Sequence, residues 1–311
     1  MKILLSLIVL LCSFSAHAQG DSLLNASAKV TGFGEIRYRG PVNQRVNPLE
    51  RPIVLIHGIY GGASHRTWRK LLPLLDAAGK EVFILDLPGV GESDKPKRSY
   101  SIEDFDVFLE RFIEEVVGER ANLVTESILS NAALRVSSIR PDLVRRIALI
   151  SPTGIFTLNE PPSSREQSLY DRLFNDDEAA IGFYRNLLNP NSLRFFLAFA
   201  FFDDSLIDEN LLADYSVLRE NIDQRFLSLS FVGGQLYRSF EESSKDVFVP
   251  VLGIFGAEYE NFQDSQFATA ADFQAVRPFF DYVEVQNAGS SVQREKPEET
   301  AKLILDFFIQ D

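Results

Sequence analysis

The sequence predicts an α/β protein, a mostly parallel central sheet with helices on both faces and an all-helical insertion. Three observations carry this reading. From Arg51 to Gly154, continuous apolar runs alternate with amphipathic stretches; from about Ile155 to Asp246 the strand-like runs disappear; after Asp246 they return. Runs that are apolar throughout are what strands buried on both faces require, and strand-helix alternation gives parallel pairing.

The elements follow in order. PIVLIH is a buried strand ending at His57, and Trp68 to Ala78 sets Leu71, Leu72, Leu74 and Leu75 at helical spacing. VFILDL is the next strand, followed by the turn PGVGES. A helix from about Ile102 to Val117 puts Phe105, Phe108, Leu109, Phe112 and Val116 on one side. NLVTES, a helix through Ala132 to Ile139, and RIALISPTG complete the first series. The helical stretch contains the aromatic block LRFFLAFAFF, residues 193 to 202. VFVPVLGIFG and YVEVQNAG are then strands, and PEETAKLILDFF is a closing helix with Pro297 in its first turn.

The N-terminus has a different character. One lysine, an apolar run from Ile3 to Leu11 and the small-residue ending Ala16-His17-Ala18 follow the plan of a secretory signal peptide over residues 1–18. The run is too short for a stable membrane anchor, so no transmembrane segment is expected in the mature chain, which should begin near Gln19. Cys12 as a lipid-modified residue fits poorly, because Leu11 precedes it where a small residue is usual. The expected destination is the periplasm or the outside of the cell.

Loss of the leader removes the one Cys, and the net charge goes from −13 to −14 with the loss of Lys2. Disulfide and thiol chemistry are thereby excluded from the mature chain. So acidic a balance argues against nucleic acid and anionic membrane surfaces, which need Lys and Arg to neutralise phosphates. No metal site is expected, since His57 and His65 are the only histidines after the leader and no cysteine accompanies them. GVGES follows a strand but lacks the spacing that cradles a nucleotide phosphate. No cofactor is implied.

Three blocks, HGIYGGASHRTWRKLLPLL, LDLPGVGESDKP and RPDLVRRIALISPTG, resemble the α/β-hydrolase superfamily of the type with a helical cap. The resemblance runs from about residue 50 to the C-terminus and implies an α/β-hydrolase fold. Its core would cover residues 19–154 and 247–311, with the cap inserted over 155–246. It also implies a serine nucleophile on a strained strand-to-helix turn, an oxyanion hole, a histidine base and an acid.

Set against that pattern, Ser127 takes the nucleophile position in LVTESILSNAAL. Thr125 and Leu129 stand where the family has small residues, which predicts a relaxed or altered elbow. The plain structural alternative for Ser127 is a helix N-cap. The oxyanion donors implied are the backbone N–H groups of Ile59 and Ile128, beside the His57-Gly58 pair, whose histidine is expected to tie the loop together. The base position holds Ser290, directly after Gly289. The acid position, three residues after Gly256, holds Tyr259, flanked by Glu258 and Glu260. Loss of the base lowers turnover in subtilisin by roughly a million-fold, about 8 kcal/mol of barrier.

Two functional readings follow. One is an exported, degenerate hydrolase that binds an apolar small molecule under the cap or an unidentified protein partner. Phe195, Phe196, Phe199, Phe201 and Phe202 are candidates for lining such a pocket as well as for cap packing. A lipid-touching patch made of the same block is a third use, though the block lacks flanking basic residues. The alternative is an active serine esterase using Ser127 with an unorthodox base, either Glu126 or an imidazole displaced from His57 or His65. Otherwise Glu126 is a charge neutralised by Arg135 or Arg140, or simply exposed.

Overall fold

The computed structural model describes residues 22–45, 47–258 and 268–309. Eight strands form one sheet in the order β1-β2-β4-β3-β5-β6-β7-β8. β1 (Ala26–Val30) and β2 (Gly34–Arg39) make an antiparallel hairpin, and β2 pairs antiparallel with β4 (Val82–Leu85). From β4 onward the pairing is parallel, through β3 (Ile53–Ile56), β5 (Ala121–Glu126), β6 (Val144–Ile150), β7 (Val251–Gly256) and β8 (Asp281–Val285). The sequence pattern before residue 50 had not marked the hairpin. Its strands are half-exposed and carry Lys29, Glu35, Arg37 and Arg39, as a solvated edge does.

The central strands are buried at every residue of β3, β4, β5 and β7, which explains their uniformly apolar runs. One face packs on α2 (Ile102–Phe112) and α3 (Leu129–Ile139), with Phe105, Phe108, Phe112 and Leu134 in a core that includes Ile147 and Phe255. The other packs on α1 (Leu72–Ala77) and α12 (Pro297–Ile309), joining Trp68, Leu75, Ile304 and Phe307 to Leu55 and Ile254. The start of α2 is fixed locally by a capping box, in which the Ser101 N–H donates to the Asp104 carboxylate at 2.8 Å.

Between β6 and β7 lie six helices, α4 (Ser164–Phe174), α5 (Asp177–Leu187), α6 (Pro190–Ala198), α7 (Glu209–Ser216), α8 (Arg225–Val232) and α9 (Phe240–Ser244). Part of this layer has its own core, centred on Tyr184, Leu193, Leu212 and Tyr215. After β7, α10 (Ala270–Val276) leads into β8, and a short α11 (Val292–Glu295) precedes α12. No helix among the described residues is long and apolar enough to cross a membrane. The leader expected over residues 1–18, Cys12 within it, Tyr259 and Glu260 lie outside the described residues.

Candidate active site

The strand-to-helix junction after β5 is sharp. Glu126 is the last residue of β5 and pairs with Ile150, the Ser127 N–H donates to the Ile150 carbonyl at 3.0 Å, and α3 begins two residues later. Ser127 has φ 55, in the left-handed region that a residue with a Cβ enters at a cost of roughly 1 kcal/mol or more. The expectation of a relaxed elbow is therefore corrected. Thr125 is buried with its hydroxyl 3.3 Å from that of Ser130, and Leu129 is packed in the core, so neither collides with the turn. Nor is Ser127 the N-cap of α3. That position belongs to Ile128, and Ser127 contributes its carbonyl, which accepts from Ser130 N–H at 3.1 Å.

Above the C-terminal ends of β3, β5 and β6 and below the cap lies a cavity of about 490 Å³. Ile59, Glu126, Ser127, Ser151, Thr153 and Ser290 form part of its core-side wall, while α6 supplies Leu193, Phe196 and Leu197. The structure thus brings Ser127 and Ser290, 163 positions apart in the chain, onto one cavity. Among the described residues, the Ser127 hydroxyl has no hydrogen-bond partner, and neither the Ile59 nor the Ile128 N–H has a protein acceptor.

Of the five phenylalanines expected to line a pocket, Phe196 and Phe199 do so. Phe201 is instead packed in the cap core, and Phe195 on α6 and Phe202 in the segment after it are exposed and off the cavity wall.

Neither imidazole is part of the cavity wall. His57 is buried and uses both ring nitrogens, Nδ1–H donating to the Gly58 carbonyl at 2.7 Å and Nε2 accepting from Leu87 N–H at 3.2 Å. Burial pulls its pKa down to about 4, against the opposing pull of the Asp86 carboxylate. His65 donates from Nδ1 to Asp86 at 2.9 Å, while its Nε2 accepts from Leu23 N–H at 3.4 Å. Both histidines therefore serve to fasten loops at the ends of β3 and β4.

Glu126 is buried, not exposed, and neither Arg135 nor Arg140 neutralises it. Arg135 is exposed, and Arg140 pairs with Glu110, Glu114 and Asp142. One Glu126 oxygen accepts from Gly58 N–H at 2.9 Å and Tyr60 O–H at 2.8 Å; the other accepts from Thr67 O–H at 3.3 Å and from Gln293 Nε2. Burial pushes its carboxyl above the usual range, while these donors and the charge of buried Arg294 draw it back. Its four donors make Glu126 the tie between the β3 loop and α11, and the Ser127 hydroxyl is not among its partners. Sequence reasoning missed Thr67, Gln293 and Arg294 because the hub joins segments up to 227 residues apart.

The turn that carries Ser290 rests on the end of β7. A Cβ on Gly256 would lie 2.0 Å from the Gly289 carbonyl oxygen and 2.2 Å from that of Ala288, so only glycine allows this backbone-to-backbone approach. The Ser290 carbonyl accepts from Ser151 O–H at 2.9 Å, and its hydroxyl donates to Ala200 of the cap at 3.4 Å. Glu258 follows β7 and donates its N–H to the Ala288 carbonyl at 3.1 Å.

A family model described as alpha/beta hydrolase fold matches residues 51–231, more than half of the chain. The chain belongs to the alpha/beta hydrolase family. Within it, the chain is 26% identical over 191 residues to the acetyltransferase component of an acetoin cleaving system from Pseudomonas putida, covering 60% of this chain and 46% of that protein. It is 30% identical over 118 residues to a haloalkane dehalogenase from Psychrobacter cryohalolentis, covering 35% and 37%. The match thus spans less than half the length of these curated relatives. Among solved structures, the epoxide hydrolase CorEH superposes with a TM-score of 0.70 at 20% identity, covering 91% of this chain and 97% of that one. That likeness is one of fold. The α/β-hydrolase sheet and its cap account for the position of the elbow, the cavity and the β8 turn.

Proposed function

We propose that this α/β-hydrolase-fold protein is an exported binding protein, a degenerate hydrolase whose cavity under the cap holds an apolar small molecule. The observation that carries the reading is Ser290 on the cavity wall after β8, where the resemblance puts the base, with both described histidines committed elsewhere. The cavity's volume and its mainly aliphatic and aromatic wall support small-molecule binding. Export is supported by the leader-like pattern of residues 1–18.

A working serine hydrolase with an unorthodox base is the second reading. It is favoured by the strained φ of Ser127 and by the two N–H groups, Ile59 and Ile128, without protein acceptors. Those features would stabilise an oxyanion and expose a nucleophile, but proton removal from Ser127 needs a base within about 3 Å. The two readings separate on a fluorophosphonate probe. The folded protein is expected to show no labelling above that of Ser127→Ala. Labelling that is abolished in Ser127→Ala would overturn the binding reading and establish an activated serine.

A further inference from the structure

The cap carries an exposed aromatic face. On α6 and the segment after it, Phe195, Phe196, Phe199 and Phe202 are each between 42% and 60% exposed. The Phe195 ring meets those of Phe196 and Phe199 edge-on, with centres 5.5 and 5.0 Å apart, so three of the four form one surface. Phe202 follows Phe199 by three residues. Half of four phenylalanine side chains is roughly 400 Å², and an apolar patch of that size marks an interaction site where singly scattered rings would not. Phe196 and Phe199 also belong to the cavity wall, whereas Phe195 and Phe202 do not.

The surroundings of this face are acidic. Residues 155–246, which hold the cap, contain 16 Asp and Glu against 8 Lys and Arg. Around Phe202, a shallow depression of about 330 Å³ is lined by Asp203, Asp204, Ser205, Asn287 and Lys296. The two nearby cations are engaged, Arg194 by Glu209 and Lys296 by the charges of Asp203 and Glu295. The Asp204 carboxylate, by contrast, is exposed and has no hydrogen bond or ion pair among the described residues.

These charges choose among the occupants an apolar face can take. A second copy would set the same acidic rim against itself, and an anionic leaflet would be repelled by it. A polypeptide with Lys or Arg beside its apolar side chains meets both features at once, since a cation gains from the Asp204 carboxylate and from the face of Phe202. We propose that this face of the cap docks a cationic amphipathic helix of a partner protein, with apolar side chains on Phe195, Phe196 and Phe199 and a Lys or Arg over Phe202 and Asp204. The assignment does not depend on what the cavity holds, because Phe195, Phe202 and Asp204 lie off its wall.

Fluorescence anisotropy with a labelled amphipathic helix of Leu and Lys, alongside the same peptide with Glu in place of Lys, tests it. The folded protein is expected to bind the Lys peptide at least tenfold more tightly than the Glu peptide, with an affinity that falls as salt rises. Phe195→Ser and Phe202→Ser combined, checked for folding by circular dichroism, are expected to weaken the Lys peptide at least tenfold. Asp204→Asn is expected to weaken it about three- to fivefold and to make the salt dependence shallower. Unchanged affinity in the double variant would overturn the proposal, since overall acidity would then hold the peptide. Two other results in place of peptide binding would also overturn it. Sedimentation with phosphatidylcholine vesicles that is lost in the double variant would assign the face to a lipid surface, and a concentration-dependent dimer lost in that variant would assign it to a second copy.

Discussion

Ser127 holds a positive φ, and His57 is buried with both ring nitrogens hydrogen-bonded. His57 is held neutral because Nε2 must accept from the Leu87 N–H and because burial lowers its pKa to about 4. An unfolded histidine titrates near 6.5, so between about pH 6.5 and pH 4 the unfolded chain binds the extra proton. The folded-state pKa is depressed, so stability contributed by His57 is full above that window and declines as pH falls through it. From pH 7 to pH 5 the wild type is expected to lose about 2 kcal/mol more unfolding free energy than His57→Gln, read from urea denaturation at the two pH values. Equal losses in the two proteins would show that His57 is not held neutral. At this scale the sequence was legible where a motif fixes a backbone position, as with Ser127 and Ser290. It misled where side-chain size stood for fit. Thr125 and Leu129 looked too large for an elbow, yet each points into packed interior and the turn keeps its positive φ.

The elements meet at a junction built by one short helix. Glu295, the last residue of α11, accepts from the N–H groups of Phe202 at 2.9 Å and Asp203 at 3.1 Å in the cap, and from Gly289 in the β8 turn. The Ser291 N–H donates to the Ala200 carbonyl at 3.0 Å beside them. One carboxylate therefore fastens the cap segment after α6 to the turn that carries Ser290. Hydrogen bonds to a charged group contribute about 1.5–3 kcal/mol each, and a tenfold change in opening corresponds to about 1.4 kcal/mol. Glu295→Ala is expected to speed amide hydrogen exchange at Phe202, Asp203 and Gly289 by at least tenfold and to leave β5 amides unchanged. Uniform acceleration throughout the chain would instead mean a general loss of stability. Nothing in the local sequence marks this latch, since Glu295 sits before a helix start like many solvated glutamates. The interior strands, by contrast, were legible because burial on both faces leaves a continuous apolar run. The β1–β2 hairpin was not, because an edge strand alternates polar and apolar residues too weakly to stand out.

For the whole molecule, the sequence gives two predictions of a different kind from the site. The leader-like residues 1–18 carry the proposal that the chain is exported. Protein recovered from fractionated cells is expected outside the cytoplasm, with N-terminal sequencing reading Gln19 first; material that retains Met1 and stays in the cytoplasm would overturn export. The order of the blocks along the chain made the sheet, the insertion and the cavity's position readable in advance, because they follow from topology. The contents of the cavity did not follow, because its wall is drawn from β3, β5, β6, the cap and the β8 turn, and no single window of sequence contains it. The same distribution means that no fragment of the chain holds the cavity, and whatever fills it binds the folded state alone. Occupancy at about 100 times Kd adds roughly 2.7 kcal/mol to unfolding. The melting temperature of the purified protein is therefore a chemistry-blind reporter of the binding reading proposed above, able to reveal a stabilising ligand in a fractionated extract before that molecule has been identified.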